Sequence, residues 1–310
     1  MRAVIALGGN AMTARDGSAR PDDQRLAVEE AMLHVAAIVA SGHQVVLTHG
    51  NGPQVGNLLV KNEMAAAVVP PVPLDWCGAQ TQGTIGALIL NALGRALTAR
   101  GLTPRVAALV SRTLVDADDP GFAHPSKPIG RYLPQAEAAA MMEHGQIWED
   151  RGARGWRRVV ASPLPRECLD QDAALVLLEA GYVVTCDGGG GIPVIADGAG
   201  SYCGVEAVID KDRTAALLAD GLHADALIMA TDVESAVLGW GTPEARPLGA
   251  VSVEELRGHA ARGEFASGSM GPKVEAACQF AESGRGFAAI ASLERIEEAL
   301  AGTSGTVVTR

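Results

Sequence analysis

The sequence is short of several things, and each shortage narrows what the chain can be. Lysine is scarce: of 25 basic side chains only Lys61, Lys127, Lys211 and Lys273 are not arginine. No apolar run reaches the roughly 20 residues that span a bilayer, and no charged-then-apolar leader pattern opens the chain, because MRAVIAL runs straight into GGN. The expectation is a globular, soluble, cytoplasmic protein with no membrane partner. The five cysteines, Cys77, Cys168, Cys186, Cys203 and Cys278, form no C-x-x-C and no Cys/His pair at zinc-ligand spacing, so they read as reduced packing residues. Positive charge is in deficit overall, with a net charge of -11. That disfavours nucleic acid as a partner, since phosphate backbones are bound mainly by an excess of Lys and Arg. An anionic substrate must instead be held by a local constellation. Walker A is absent: GSMGPK (268–273) has the wrong spacing and no Ser or Thr follows its lysine, and the protein-kinase set is missing too.

What is present is a large apolar content. A chain of 310 residues, 48% of them hydrophobic, can bury a sizeable core. Short β-rich runs, AVIAL (3–7), QVVLT (44–48), RVAALV (105–110), RVVA (158–161), YVVTC (182–186), ALIMA (226–230) and FAAIA (287–291), alternate with helical patterns. The helices are expected at about 22–41, 53–66, 76–99, 170–180, 212–220, 252–261 and 272–283. Continuous apolar strands separated by helices predict a parallel sheet covered on both faces, an α/β fold built as a three-layer α/β/α sandwich. One stretch breaks the alternation. Residues 117–155, with DDPGFAHPSKPIGRYLP followed by the polar EHGQIWEDRGARGW, read as an inserted lid subdomain. No internal repeat appears.

Two strand ends carry glycine and asparagine. LGGNA puts Gly8 and Gly9 after the first strand, and THGNGPQVG puts Gly50, Asn51 and Gly52 after the second, with Pro53 suited to the first turn of the next helix. Either loop alone fits an ordinary strand-to-helix turn. Two at neighbouring strand ends would present free backbone N–H groups at the C-terminal edge of a parallel sheet, where such folds bind ligands. DGGGGIPV differs: it lies between strand-like YVVTC and IPVIA with no helix following, unlike a dinucleotide fingerprint. Lys273 falls in the first turn of a helix begun at Pro272, and Lys211 stands between Asp210 and Asp212 where another begins. A cation at a helix start opposes the helix dipole, and an anion such as phosphate would relieve the conflict. Lys127 sits in HPSKPIG between Pro125 and Pro128. In a chain that otherwise prefers the planar arginine fork, a compact mobile point charge there gains weight as a functional choice.

Taken in order, LGGNA, THGNGPQVG, CGAQTQGTIG, DPGFAHPSKPIGRY, VVASPLP, GGGGIPV, GVEAVIDKD and FASGSMGPKVEAA resemble the carbamate kinases of the amino acid kinase superfamily, over essentially the whole chain. The resemblance implies an open, mostly parallel sheet of about eight strands and a homodimer. It also implies magnesium-dependent, reversible phosphoryl transfer between carbamoyl phosphate plus ADP and carbamate plus ATP, a reaction of arginine metabolism. By motif, Gly8, Gly9 and Asn10 would cradle the transferred group, and Gly50, Asn51 and Gly52 would hold the carbamate side. Lys127 would reach in from the lid, Lys211 and Lys273 would neutralise nucleotide phosphates, and Asp212 would orient the lysines, with Asp210 a second candidate. Base and ribose would lie near Thr231, Asp232 and Val233, with Met270 and Gly271 beside Lys273. Residues 1–180 would thus serve carbamate and 181–310 the nucleotide, with magnesium held mainly by phosphates rather than by protein side chains. Leu164, Trp76 and Ala87 depart from the family pattern. A carbamate oxygen is already anionic and needs no general base, so the lack of a distinctive His/Asp pair fits; His49 and His124 read as packing or loop residues. Two alternatives stay open: a superfamily kinase for another small carboxylic acid, against which PSKPIG speaks, and a non-catalytic ligand-sensing member, against which the retained lysines and aspartates speak.

Overall fold

The computed structural model describes residues 1–13, 20–265 and 270–310. In chain order, β1 (Arg2–Leu7), α1 (Pro21–Ala40), β2 (Gln44–His49), α2 (Gly52–Ala65), α3 (Leu74–Ala99) and β3 (Val106–Ala108) open the fold. Next come β4 (Arg112–Val115), α4 (Pro120–Ala123), β5 (Lys127–Leu133), α5 (Gln135–Met142), β6 (Ile147–Asp150), β7 (Trp156–Val160) and β8 (Pro165–Cys168). The chain continues through α6 (Gln171–Glu179), β9 (Val183–Thr185), β10 (Ile192–Ala196), β11 (Tyr202–Gly204), α7 (Lys211–Gly221) and β12 (Ala226–Thr231). It ends with β13 (Val237–Leu238), β14 (Arg246–Pro247), β15 (Ala250–Ser252), α8 (Val253–Ala261), α9 (Met270–Glu282), β16 (Phe287–Ser292), α10 (Ile296–Leu300) and β17 (Thr306–Thr309).

Eight strands form one sheet in the order β15-β17-β16-β12-β1-β2-β9-β3. From β16 to β3 every pairing is parallel; β17 runs antiparallel to β16 and carries β15 beside it. Both faces are buried, as continuous apolar strands require. Along β1, Ala3, Ile5 and Leu7 join the cluster that includes Val35, Leu93 and Ile296, while Val4 and Ala6 join the opposite cluster with Leu218, Val274 and Phe280. The period of two therefore sends alternate side chains into two cores, and each Val, Leu or Ile so buried contributes about 1.5–3 kcal/mol. The expected helices appear within two residues of their positions. α1 begins at Pro21 with Asp22 and Asp23 in its first turn, where a proline and acidic residues both suit the helix start. No helix among the described residues is long and apolar enough to cross a membrane.

The inserted segment has its own sheet, β5-β7-β6, antiparallel throughout. Its last strand runs to Val160, so the lid extends past the expected boundary at 155. At its neck, the Asp119 carboxylate accepts hydrogen bonds from Gly121 N (2.8 Å) in α4 on the way in and from Leu164 N (3.0 Å) between β7 and β8 on the way out. RVVA (158–161), expected as a strand of the main sheet, belongs here instead. Its apolarity is real, but Val160 is buried against Val55, Leu59, Leu74 and Cys77 where the lid packs on α2 and α3. A hydrophobic run reports burial, not which sheet provides it. A second small sheet, β11-β10-β4-β8, was likewise not foreseen, and IPVIA falls within it.

Candidate active site

The parallel register brings three strand ends to one edge. Leu7 pairs with His49 on one side and Ala230 on the other, so Gly8, Gly50 and Thr231 follow side by side. Gly8 N donates to Ala230 O and Gly50 N to Leu7 O, both at 3.0 Å. A Cβ on Gly50 would stand 3.1 Å from Gly9 N and 3.4 Å from Lys211 Cδ, so glycine is what lets the two loops and the Lys211 stem converge. Gly9 and Gly52 face open space instead: a Cβ on Gly9 would meet only Pro53 Cδ, at 3.8 Å, and one on Gly52 nothing within 4 Å. Asn10 lies in the short 3-10 turn Gly9–Met12, and its side chain falls outside the described residues. α2 starts behind Asn51, whose side chain does not cap it; Asn51 Nδ2 donates to Thr81 Oγ1 at 3.0 Å. The first-turn amides of α2 are thus uncapped donors at the sheet edge.

α7 begins differently. The Asp210 carboxylate accepts from Asp212 N (3.0 Å) and Arg213 N (3.3 Å), an N-cap that occupies the amides a ligand could have used. The adjacent Asp212 turns inward. Lys211 Nζ donates to Asp212 Oδ1 at 2.7 Å, and Lys273 Nζ, from the first turn of α9, donates to Oδ2 at 2.9 Å. Asp212 is 4% exposed and Lys273 9%. Burial alone would raise the Asp212 carboxyl, but the two ammonium groups hold it below the usual range. Burial pushes the Lys211 ammonium down, Lys273 adds to that, and Asp212 opposes it. One carboxylate neutralises only one of two neighbouring ammonium groups. Asp210 acts on Lys211 from farther off, with its carboxylate turned to the α7 amides.

Lys127 opens β5 half-buried, its side chain making no hydrogen bond or ion pair among the described residues. It pairs across the lid with Val160; the next residue, Ala161, bridges to Ala207, and Val208 N donates to Ala161 O at 3.0 Å. Three residues further on is Lys211. A continuous hydrogen-bonded path therefore joins the lid lysine to the start of α7. The fourth lysine, Lys61, is exposed on α2.

The glycine run DGGGG packs against the protein itself. Gly189, Gly190 and Gly191 have φ of 72°, 94° and 82°. A Cβ at Gly188 would strike His49, at Gly189 Asn51, at Gly190 the Ile209 carbonyl and at Gly191 Thr113, so the run wedges the β2 loop against the approach to α7. His49 is buried, which lowers its pKa to about 4, and its Nδ1 donates to Gly50 O at 2.9 Å; it is a neutral packing group. Ahead of the run, Asp187 is fully buried in the left-handed region (φ 50°). Neither of its carboxylate oxygens accepts a hydrogen bond among the described residues. Burial raises this carboxyl to about 6 against the smaller pull of nearby Cys168, Cys186 and Ser111.

On the other side of the site, Thr231 ends β12 and its Oγ1 donates to Asp232 Oδ1 at 3.0 Å, with Val233 next and half-buried. Met270 and Gly271 open α9 beside Lys273, while 266–269 of the FASGSMGPK motif lie outside the described residues. The excursion after β12 forms a cleft of about 650 Å³ lined by Trp240, Arg246, His259, Arg262 and Phe265. Trp240, 67% exposed, was not singled out from the sequence; a bulky aromatic left in solvent beside a strand end is the signal that was there. Trp76 and Leu164 are exposed as well. Of the cysteines, only Cys203 is exposed, and all five are free.

Residues 1–292 match the amino acid kinase family. Carbamate kinase of Pyrococcus furiosus is 43% identical over 99% of this chain and 98% of its own length, and carbamate kinase 2 of Enterococcus faecalis is 41% identical over the same shares. The solved structure of carbamate kinase from Giardia lamblia bound to AMP-PNP superposes with a TM-score of 0.94 at 39% identity, covering 99% of this chain and 98% of that one. With the lysine-bearing lid, the shared Asp212 and the two glycine-asparagine loops on the same edge, the chain belongs to the amino acid kinase family, and within it to the carbamate kinases.

Proposed function

We propose that this carbamate kinase transfers a phosphoryl group reversibly between carbamoyl phosphate and ADP, giving carbamate and ATP, with the C-terminal edge of the main sheet as its reaction site. The observation that carries the reading is the Lys211–Asp212–Lys273 cluster, where one buried carboxylate holds two ammonium groups and leaves positive charge to be met by an anion. Phosphoryl transfer asks little covalent chemistry of a protein; it needs two anions held in line and positive charge around the moving group. Lys211 and Lys273 supply that charge to the nucleotide phosphates, with Asp212 fixing where the ammonium groups point. Gly8, Gly9 and Asn10 approach the phosphoryl group, and Gly50, Asn51, Gly52 and the uncapped α2 amides take the carbamate side. Lys127, whose side chain has no partner among the described residues, follows the group as it passes. A carbamate oxygen is an anionic nucleophile, and neutral, buried His49 is suited to no proton transfer near pH 7.

The nucleotide then lies over the C-terminal half, with Thr231, Asp232, Val233, Met270 and Gly271 along its course and the exposed Trp240 face available to a base. The Giardia relative binds AMP-PNP, which is in keeping with a nucleotide substrate for this chain. The donor set suits a nucleotide-borne magnesium ion: both Asp212 oxygens are engaged by ammonium groups and Asp210 is engaged by amides, so phosphate oxygens rather than carboxylates would hold the ion. When bound, it supplies further neutralisation of phosphate charge. A homodimer, a cytoplasmic location and a place in arginine metabolism complete the reading, on family likeness. The test is a coupled assay of ATP formed from ADP and carbamoyl phosphate with magnesium. Turnover is expected; failure there alongside activity on another acyl phosphate would move the assignment to that acid.

A further inference from the structure

Lys127 has no side-chain partner among the described residues, so something else must fix the lid that carries it. Two lid arginines are committed to the main domain. Arg131 Nε donates to Glu63 of α2 at 2.7 Å. Arg158, on the middle lid strand β7 beside Ile129 and Trp148, is only 5% exposed and donates through Nη2 to Glu206. Glu206 is a junction. Its other oxygen accepts from Leu74 N, the first residue of α3, at 2.8 Å, and it stands immediately before Ala207 and Val208, the pair that bonds to lid residue Ala161. Five residues later the same segment delivers Lys211. Burial lowers the Arg158 pKa, with Glu206, Cys77 and Glu63 opposing; an arginine stays charged there, where a lysine would not be so assured.

We propose that the Arg158–Glu206 pair is the latch that sets the lid over the cluster, and that Arg158 is a positioning residue acting through Lys127. Glu206 holds the lid strand, the start of α3 and the approach to α7 in one place, so one carboxylate ties the lid that carries Lys127 to the segment that carries Lys211. The route is two-sided: backbone hydrogen bonds run from Lys127 through Val160 and Ala161 to Val208, and the ion pair runs parallel to them. Arg158 Nε makes no hydrogen bond among the described residues, so the buried guanidinium depends on Glu206 for its charge partner. This inference rests on the carbamate kinase reading.

The experiment compares Arg158→Met and Glu206→Gln, each in the wild-type and in the Lys127→Ala background, by ATP formation from carbamoyl phosphate and by calorimetric ADP binding. In the wild-type background each variant is expected to lower turnover about tenfold or more with ADP affinity unchanged. In the Lys127→Ala background neither should lower turnover further, because the residue through which they act is gone. Glu206→Gln, a half-exposed isostere that still accepts from Leu74 N, carries the test if Arg158→Met folds poorly. Unchanged turnover for Glu206→Gln would overturn the latch, and so would an equal loss in both backgrounds, the mark of a purely structural role. Wild-type protein lacking ATP formation would instead sink the functional reading itself.

Discussion

The cluster at the start of α7 and the lysine on the lid are built on opposite plans. Lys211, Asp212 and Lys273 are buried, mutually hydrogen-bonded at 2.7 and 2.9 Å and seated on two helices that pack against each other. Lys127 is half-exposed, unpartnered among the described residues and carried by a three-stranded sheet joined to the rest through a neck at Asp119. Preorganised charge lowers a barrier because no reorganisation is needed when the reaction occurs. A charge that must track a group from one anion to another is better left without a partner. The contrast supports the proposal that the fixed pair serves the nucleotide phosphates and the lid lysine the group in transit.

Breaking the fixed side should have the largest effect. Asp212→Asn keeps the shape, removes the charge and leaves two buried ammonium groups facing each other; steady-state turnover should fall by about 10²-fold or more. Turnover near wild type would remove Asp212 from the site. Next comes Asp187, which lies behind the glycine run. Its carboxyl is raised from 3.8 to about 6, so the unfolded chain ionises first. The folded protein is therefore favoured below pH 3.8 and loses stability as pH climbs to 6, by at most about 3 kcal/mol. Asp187→Asn should remove that fall, so denaturant midpoints of variant and wild type should diverge in the variant's favour from pH 4 to 6 and stay apart at pH 8. Parallel midpoints would mean that Asp187 is hydrated or paired after all. Asp210→Ala, which loses only a helix cap, should cost about 1 kcal/mol of stability while turnover stays close to wild type. That separates it from its neighbour Asp212, two positions along the chain.

What could be read in advance follows from how local each signal is. The main sheet and its helices were legible because apolar runs and 3.6-residue patterns are properties of short segments. The lid was visible as a break in composition, but its end was not, since Val160 is buried by contact with α2 and α3 rather than by the main sheet. That Asp212 would orient the lysines came only from the resemblance; that Lys273, 61 residues away, shares its carboxylate with Lys211 is a fact of the α7–α9 packing that no local pattern carries. The dipole conflict noted at both lysines is met in part by Asp212 itself. Arg158, Glu206 and Asp187 carried no local signal at all. The glycine run was set apart from a dinucleotide fingerprint because no helix follows it; its wedging of His49 and Asn51 against the approach to α7 exists only in three dimensions.

The smallest expected effect is the most telling. If the fixed cluster binds nucleotide and the lid lysine serves the transfer, then calorimetric titration of Lys127→Ala with ADP should give a dissociation constant indistinguishable from wild type, while ATP formation from carbamoyl phosphate by the same preparation falls steeply. Lys127→Arg should bind ADP equally well and recover little of the rate, because charge is kept while shape and reach change between two prolines. A loss of ADP affinity in step with turnover would contradict the division of labour, and wild-type turnover in Lys127→Arg would contradict the role given to a mobile point charge.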